Sequence, residues 1–169
     1  TIDSAKFVTM GAGMHATTGP STTYWNPSML ASGDYTVKAT FSEREFMGLN
    51  SHPHPYGIVI AGNDMGTDNA TFLYCAAYGS GTFFVRGFGP APFQMNGRRG
   101  ETNAAVGKAA EKGKPVTQEI AMSVKGDKVS CSINGTEVAS YPKADVVGVG
   151  MYGVGRFGWG DGGDGDLVL

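Results

Sequence analysis

Oxygen-bearing side chains are concentrated in residues 62–69. This stretch offers the carboxylates of Asp64 and Asp68, two amides and a hydroxyl within eight residues. Calcium prefers hard oxygen ligands at such density, so the stretch is a candidate calcium loop. It lacks the full twelve-residue pattern of a helix–loop–helix calcium site. The competing interpretation is a polar turn in which Asn and Asp side chains hydrogen-bond to their own backbone.

A second candidate for calcium lies at the C-terminal end of the chain. Residues 162–169 contain Asp164 and Asp166 and match one copy of a calcium-binding nonapeptide repeat. Successive copies of that repeat share each calcium ion, and a single copy at the chain end has no neighbour to stack on. The alternative is therefore a glycine–aspartate turn before a short last strand. We predict no cofactor for this protein, with calcium as the alternative.

Histidines supply a third group of candidate ligands. His52 and His54 alternate with prolines, and His15 would complete a set of three imidazoles suited to zinc or copper. No cysteine or carboxylate lies at ligand spacing from them. A rigid polyproline-like loop with exposed histidines is the simpler interpretation.

Hydrolysis of a glycosidic bond needs two carboxyl groups at a defined separation across the substrate. Glu43 and Glu45 would share one strand face if the strand ending at Phe41 continued. The string E-x-D-x-E is absent, and so is the G-x-S-x-G nucleophile motif. We assign no catalytic residue from the sequence. The other available glutamates are Glu101, Glu111, Glu119 and Glu137.

Aromatic side chains make a better case for binding than for catalysis, because their faces stack on sugar rings and anchor protein interfaces. Residues 88–96 are apolar but too rich in glycine and proline for a core strand. They predict either a surface contact site or a loop folded back over the sheet edge, and both remain open. The candidate binding residues are Trp25, Tyr56, Phe88, Phe93, Met95 and Trp159.

The elements that would position these residues are β-strands. Residues 116–141 alternate apolar and polar side chains in three runs, separated by a turn at residues 125–128 and by Asn134-Gly135. Asn-Gly favours a type I′ hairpin turn, and period-two alternation is typical of antiparallel sheet with one buried face. Residues 56–61 are apolar on both faces and predict a central strand. Further strands are expected at residues 35–41, 71–78, 82–86 and 146–152.

Composition narrows the class of protein. The 27 glycines among 169 residues favour a β-sandwich in one domain over residues 1–169. The net charge of −2 argues against binding to nucleic acid. The sequence contains no run of about 18 apolar residues, so it predicts no membrane-spanning segment. The chain begins at Thr1 without methionine, which is compatible with a mature, processed protein.

The two cysteines leave an alternative open. Cys75 and Cys131 each lie in a predicted strand with a core-like pattern. They can form a disulfide if their strands are neighbours, and the alternative is two free buried cysteines that pack like small hydrophobic residues.

Residues 13–20, 24–27 and 35–41 resemble the opening of a group of exported bacterial proteins. That group has concanavalin A-like jelly rolls and lies near the 3-keto-disaccharide hydrolase-like domains. Residues 56–58, 71–74, 124–127 and 133–135 fit the same pattern, so the resemblance spans about residues 13–152. It implies an antiparallel two-sheet jelly-roll sandwich and a periplasmic or extracellular location.

This fold carries lectins, glycosidases and binding modules alike. We expect a non-catalytic binding or accessory module, such as a subunit of a larger extracytoplasmic assembly, that recognises a protein partner or a glycan through aromatic loops. The alternative function is a carbohydrate-active hydrolase of the keto-disaccharide hydrolase-like type.

Overall fold

Two antiparallel sheets pack face to face around a shared hydrophobic core. The computed structural model describes residues 5–18, 21–47, 54–97, 99–149, 155–161 and 165–168, with side-chain surroundings described no further than Val146. The strands in these ranges are β1 Lys6–Met10, β2 Gly13–Thr18, β3 Thr22–Ala31, β4 Tyr35–Glu43, β5 Tyr56–Asn63, β6 Thr71–Tyr78, β7 Thr82–Phe88, β8 Phe93–Gln94, β9 Glu101–Thr102, β10 Val116–Lys125, β11 Lys128–Ile133, β12 Thr136–Pro142, β13 Gly155–Asp161 and β14 Gly165–Val168.

The strand order is that of a jelly roll. The first sheet runs β1-β2-β14-β4-β10-β11-β12, and the second runs β3-β13-β5-β6-β7-β8 with β9 also paired to β7. Consecutive strands β3 and β4 lie in different sheets, as do β13 and β14, so the chain crosses between the two layers. The predicted all-β antiparallel sandwich is confirmed.

Both predicted turns in the β10–β12 segment form. Asn134 and Gly135 have φ values of 51° and 81°, the positive values that a type I′ turn requires at both central positions. Lys125 pairs with Lys128 across the other turn, where Gly126 has a φ of 59°. The Asn134 side chain also accepts a hydrogen bond from the Glu119 amide at 2.9 Å, which ties this hairpin to β10.

The outer faces of the two sheets differ. In the first sheet, alternate residues of β10 are buried, and the opposite face carries polar pairs such as Thr36 with Ser123, whose hydroxyls lie 2.7 Å apart. In the second sheet, β5 is buried from Tyr56 to Gly62 on both faces, as predicted for a central strand. The outer face of the second sheet is therefore largely apolar.

A disulfide joins the two sheets. Cys75 of β6 and Cys131 of β11 are bonded, with 0% and 1% of their surfaces exposed. This resolves the alternative left by the sequence in favour of the disulfide.

The C-terminal part of the chain departs from the sequence prediction. Residues 146–149, predicted to begin a strand, belong to a 3₁₀ helix at Lys143–Val149, and the rest of that predicted strand lies outside the described residues. The glycine-rich tail instead supplies β13 and β14, which occupy interior positions in the second and first sheets respectively. Within the described ranges, no helical segment has the length and apolar character needed to cross a bilayer.

Candidate functional site

A groove of about 490 Å³ lies on the outer face of the second sheet. Its floor comes from alternate residues of three adjacent strands, because the intervening residues Ile58, Leu73 and Cys75 point into the core. The strand residues that line it are Thr22, Thr23, Trp25, Gly57, Val59, Phe72, Tyr74, Ala76, Phe84, Arg86 and Phe88. Ser21, Pro55, Met65, Gly66 and Ala70 complete the lining from adjoining segments.

Aromatic rings form a continuous cluster along β6 and β7. Phe72 stacks on Phe88 across the two strands, with ring centroids 4.7 Å apart and an interplanar angle of 8°. Tyr74 meets Phe84 edge-to-face at 5.5 Å, and Tyr78 lies 5.4 Å from Phe84. Phe84 is 1% exposed and Phe88 is 50% exposed. Phe84 therefore forms the floor, while Phe88 presents a ring to solvent.

Arg86 brings a positive charge into this apolar groove. Its Cζ atom lies 4.0 Å from the centroid of the Phe84 ring, a distance that suits a cation–π contact. It lies opposite Tyr74 in the strand register and hydrogen-bonds to the Tyr74 hydroxyl. No Asp or Glu is among the described residues that line the groove. The groove thus combines aromatic surface with a cation held in a fixed place.

Burial perturbs the two tyrosines beside Arg86. It raises the pKa of Tyr74 above 10.0, and the positive charge of Arg86 and its hydrogen bond act in the opposite direction. Burial also raises the pKa of Tyr78, assisted by the nearby Tyr74 and opposed by Arg86. Both phenols are consequently neutral at physiological pH and can act as hydrogen-bond donors or acceptors.

We expect the raised pKa values of Tyr74 and Tyr78 to make the fold sensitive to alkali. Because the unfolded phenols ionise first, the unfolded state loses protons near its pKa of about 10 while the folded state keeps them. The stabilising contribution is complete below that pH and is lost as the pH rises through the folded pKa. The Tyr74→Phe/Tyr78→Phe variant should therefore lose less stability between about pH 9 and about pH 11 than the wild type does.

Urea unfolding at a series of pH values measures this difference, with the values at neutral pH as the internal reference. Parallel stability curves for the variant and the wild type would contradict the assignment.

Two of the predicted binding residues, Trp25 and Phe88, line the groove. The loop after β5 approaches Trp25 closely, since a methyl group on Gly66 would stand 3.2 Å from its Cζ2 atom. Trp159 lies in β13, where its backbone pairs with Tyr24 and Ile58, and its side chain is outside the described part.

Tyr56 must be removed from the candidate binding residues. It is 2% exposed and packs in the core, 5.5 Å from the ring of Phe41. Its hydroxyl accepts a 2.6 Å hydrogen bond from the buried Gln118 side chain. Along β5, Tyr56 faces the core and the next residue, Gly57, faces the groove.

The apolar loop after β7 folds back over the sheet edge. Phe93 and Met95 pack against the core, and the Phe93 ring occupies the space beside Gly87 that a Cβ atom there would need. The Met95 amide donates a 2.9 Å hydrogen bond to the Val85 carbonyl. Of the two interpretations left open by the sequence, the covering loop describes Phe93 and Met95. Phe88, at the end of β7, is exposed, and a contact site there stays a prediction.

The candidate calcium loop is a hydrogen-bonded turn. The Thr67 amide and hydroxyl donate to the Asp64 carbonyl at 3.1 and 2.7 Å, and the Asn69 amide donates to the Thr67 hydroxyl at 3.2 Å. Among the residues that the structure describes, no group of three or more His, Cys, Asp or Glu could hold a metal ion.

Calcium binding at Asp64 and Asp68 stays a prediction, and so does calcium binding at Asp164 and Asp166. Asp164 lies outside the described residues, as does His52 of the histidine set. Asp166 pairs with Thr17 through the backbone of β14 and β2, and its side chain is outside the described part.

The glutamates considered for catalysis are dispersed. None of the six lines the groove. Glu43 is 7% exposed at the end of β4, and Glu45 is exposed in the bend that follows. Glu119 lies on the polar outer face of the first sheet, 3.5 Å from the Lys38 ammonium. These positions do not form a pair of carboxylates across the groove.

Phe72, Tyr74, Phe84 and Arg86 are among the groove residues that were not predicted from the sequence. A signal for them exists, because the strands at 71–78 and 82–88 carry large side chains at positions of both parities. One parity fills the core through Leu73, Cys75 and Phe83. Residues of the other parity must then face outward, on the side of the sheet away from the core.

Comparison of the structure with solved structures agrees with the jelly-roll fold. No protein-family model matches the sequence, and no curated protein matches it. A carbohydrate binding module from Bacillus subtilis, CBM66, is similar in structure, with a TM-score of 0.64 at 13% identity, over 97% of this chain and 87% of that one.

Two glycoside hydrolase structures show the same likeness at a lower level. A GH16 protein of a Bacteroides ovatus mixed linkage glucan locus gives a TM-score of 0.52 at 8% identity, over 99% of this chain and 84% of that one. The laminarinase catalytic domain from Thermotoga maritima gives 0.52 at 11% identity, over 96% and 70%. At these identities the likeness establishes the concanavalin A-like fold alone.

Proposed function

We propose that this protein is a non-catalytic, extracytoplasmic module that binds a glycan in the groove on the second sheet. The observation that carries the proposal is the aromatic lining of that groove, which includes the exposed ring of Phe88 and the buried ring of Phe84.

The groove has the composition that a sugar site needs. Sugar rings present apolar C–H faces that stack on aromatic rings, and their hydroxyls need a few well-placed polar partners. Phe88 and Trp25 supply the aromatic surface, and the hydroxyls of Thr22, Thr23 and Tyr74 supply polar partners. A volume of about 490 Å³ suits a short oligosaccharide.

Binding without hydrolysis is favoured over the keto-disaccharide hydrolase-like alternative. A hydrolase of the ordinary two-carboxylate type would place an acid and a base or nucleophile on either side of the bound sugar. The described lining contains neither Asp nor Glu. Among structural neighbours, the CBM66 domain is named as a carbohydrate binding module, which supports the same choice.

A glycan is also favoured over a protein partner as the ligand. The loop that was the candidate protein contact keeps Phe93 and Met95 packed against the core, which leaves Phe88 as its exposed aromatic residue. The disulfide between Cys75 and Cys131 supports a location outside the cytoplasm, because disulfides persist in oxidising compartments such as the periplasm or the cell exterior.

Replacing Phe88 with alanine is expected to weaken glycan binding by roughly tenfold or more, because the variant loses the exposed stacking surface of the groove. A glycan array identifies ligands of the wild type, and isothermal titration measures their affinities for both proteins. Incubation of the same ligands with the wild type, followed by mass spectrometry, should return them uncleaved.

Phe7→Ala is the matched control, since Phe7 is also an exposed phenylalanine (37%) but lies on β1 of the other sheet. Equal affinities for the Phe88→Ala and Phe7→Ala variants would remove the groove as the binding site. Cleavage of a ligand would replace the binding module with the hydrolase.

A further inference from the structure

The charge of the groove narrows the class of glycan that it would bind. Arg86 is the one charged residue among the described residues of the lining. It lies on the floor at the middle of β7, half-buried and flanked along the strand by Phe84 and Phe88. A cation in such a place interacts with a bound anion more strongly than a cation on an open surface does, because less water screens the pair.

The structure also fixes the direction of the Arg86 side chain. The guanidinium lies over the Phe84 ring, with its Cζ atom 4.0 Å from the ring centroid, and it hydrogen-bonds to the Tyr74 hydroxyl across the strand pair. An arginine held from two sides loses little further rotamer freedom when a ligand binds.

Arg86 and Phe88 lie on the same face of β7. They are two positions apart, so their Cα atoms lie roughly 7 Å apart along the strand. The Arg86 guanidinium lies over the ring of Phe84, two positions from Arg86 in the other direction. A sugar that stacks on Phe88 must therefore extend along β7 for an acidic group, on the same unit or on the next one, to reach Arg86.

We infer that the groove binds an acidic glycan, in which the carboxylate of a uronate unit pairs with Arg86 and a sugar face stacks on Phe88. The inference rests on the proposed function and names its ligand class. The planar fork of the guanidinium binds two oxygens of a carboxylate, and it binds two oxygens of a sulfate or phosphate group in the same bidentate way, so the test includes sulfated ligands.

The test compares uronate oligosaccharides with their carboxyl-reduced counterparts, which keep the linkage and lose the charge. The panel contains oligomers of galacturonate, mannuronate, guluronate and glucuronate, with sulfated neutral oligosaccharides as a further arm. Isothermal titration should show at least one uronate oligomer binding about tenfold or more tightly than its reduced form, the range expected for a hydrogen-bonded charge pair. The preference should shrink as salt is added.

Three variants assign the preference to Arg86. Arg86→Gln removes the charge and should abolish the preference for the acidic form over the carboxyl-reduced form. Arg86→Lys keeps the charge but loses the fork, so it should retain part of the preference. Arg44→Gln, at an exposed arginine in the bend after β4, is the matched control and should bind as the wild type does. Thermal melts establish that all three variants are folded.

The outcomes separate the inference from the proposed function. Equal or tighter binding of neutral oligosaccharides overturns the acidic ligand and leaves a glycan-binding module in place. Preference for sulfated over carboxylated oligosaccharides, or a preference that survives Arg86→Gln, also overturns it. Failure of the wild type to bind any glycan overturns both.

Discussion

Replacing Cys75 and Cys131 together with alanine is expected to lower the free energy of unfolding by about 4 kcal/mol. The disulfide closes a loop across a sequence separation of 56 residues, and a cross-link of that span restricts the unfolded chain by about this amount. It joins β6 to β11, so it also holds the two sheets together beneath the groove. Urea unfolding at neutral pH, followed by circular dichroism, measures the loss.

Reduction of the wild type separates the cross-link from the change in side-chain volume. The wild type with a reductant should lose nearly as much stability as the Cys75→Ala/Cys131→Ala variant, and the variant should not respond to the reductant. A loss below about 1 kcal/mol in both experiments would show that the cross-link contributes little to the fold.

Local sequence patterns predicted the strands whose partners are close in the chain. The alternation of apolar and polar residues through β10, β11 and β12 is visible in the sequence. The type I′ turn at Asn134-Gly135 sets the register of the two strands that it joins. The burial of β5 on both faces was predicted as well, since its residues are apolar at both parities.

That double burial also explains the error at Tyr56. When both faces of a strand are apolar, the sequence does not reveal which face meets the other sheet. Tyr56 and Ile58 face the core, whereas Gly57 and Val59 line the groove. Of the residues predicted to bind, Trp25 and Phe88 line the groove, whereas Arg86, which also lines it, was not singled out within its predicted strand.

The C-terminal strands were not predictable from local pattern. Glycine and aspartate disfavour strands by composition, and the partners of β13 lie far earlier in the chain, about 130 residues earlier for β3 and about 100 residues earlier for β5. The register also shifts between Arg156 and Gly158, which breaks any alternation. Val146 was predicted to begin a strand but lies in a 3₁₀ helix, where its apolar side chain is fully buried.

Substituting Gly57 with alanine is expected to destabilise the fold by about 3 kcal/mol and to weaken ligand binding in the groove. Gly57 pairs with Ala76 between β5 and β6, and a Cβ atom on Gly57 would overlap the Cys75 carbonyl oxygen and lie 2.6 Å from the Ala76 Cα atom. Both obstacles are backbone atoms, so no side chain can rotate out of the way. The two strands must separate instead, which disturbs the floor that carries Tyr74 and Ala76.

Gly113→Ala is the control for the general cost in stability of replacing a glycine with alanine. Gly113 has a φ of 81° and no heavy atom within 4 Å of its would-be Cβ, so its substitution should cost only the backbone penalty of about 1 kcal/mol. Urea unfolding of both variants, with ligand titration of whichever remains folded, separates the two effects. Equal losses of stability would mean that β5 and β6 tolerate the added methyl group.

Because Gly57 lies on the groove floor, retention of full affinity in a folded Gly57→Ala variant would argue that the ligand does not depend on the close approach of these two strands.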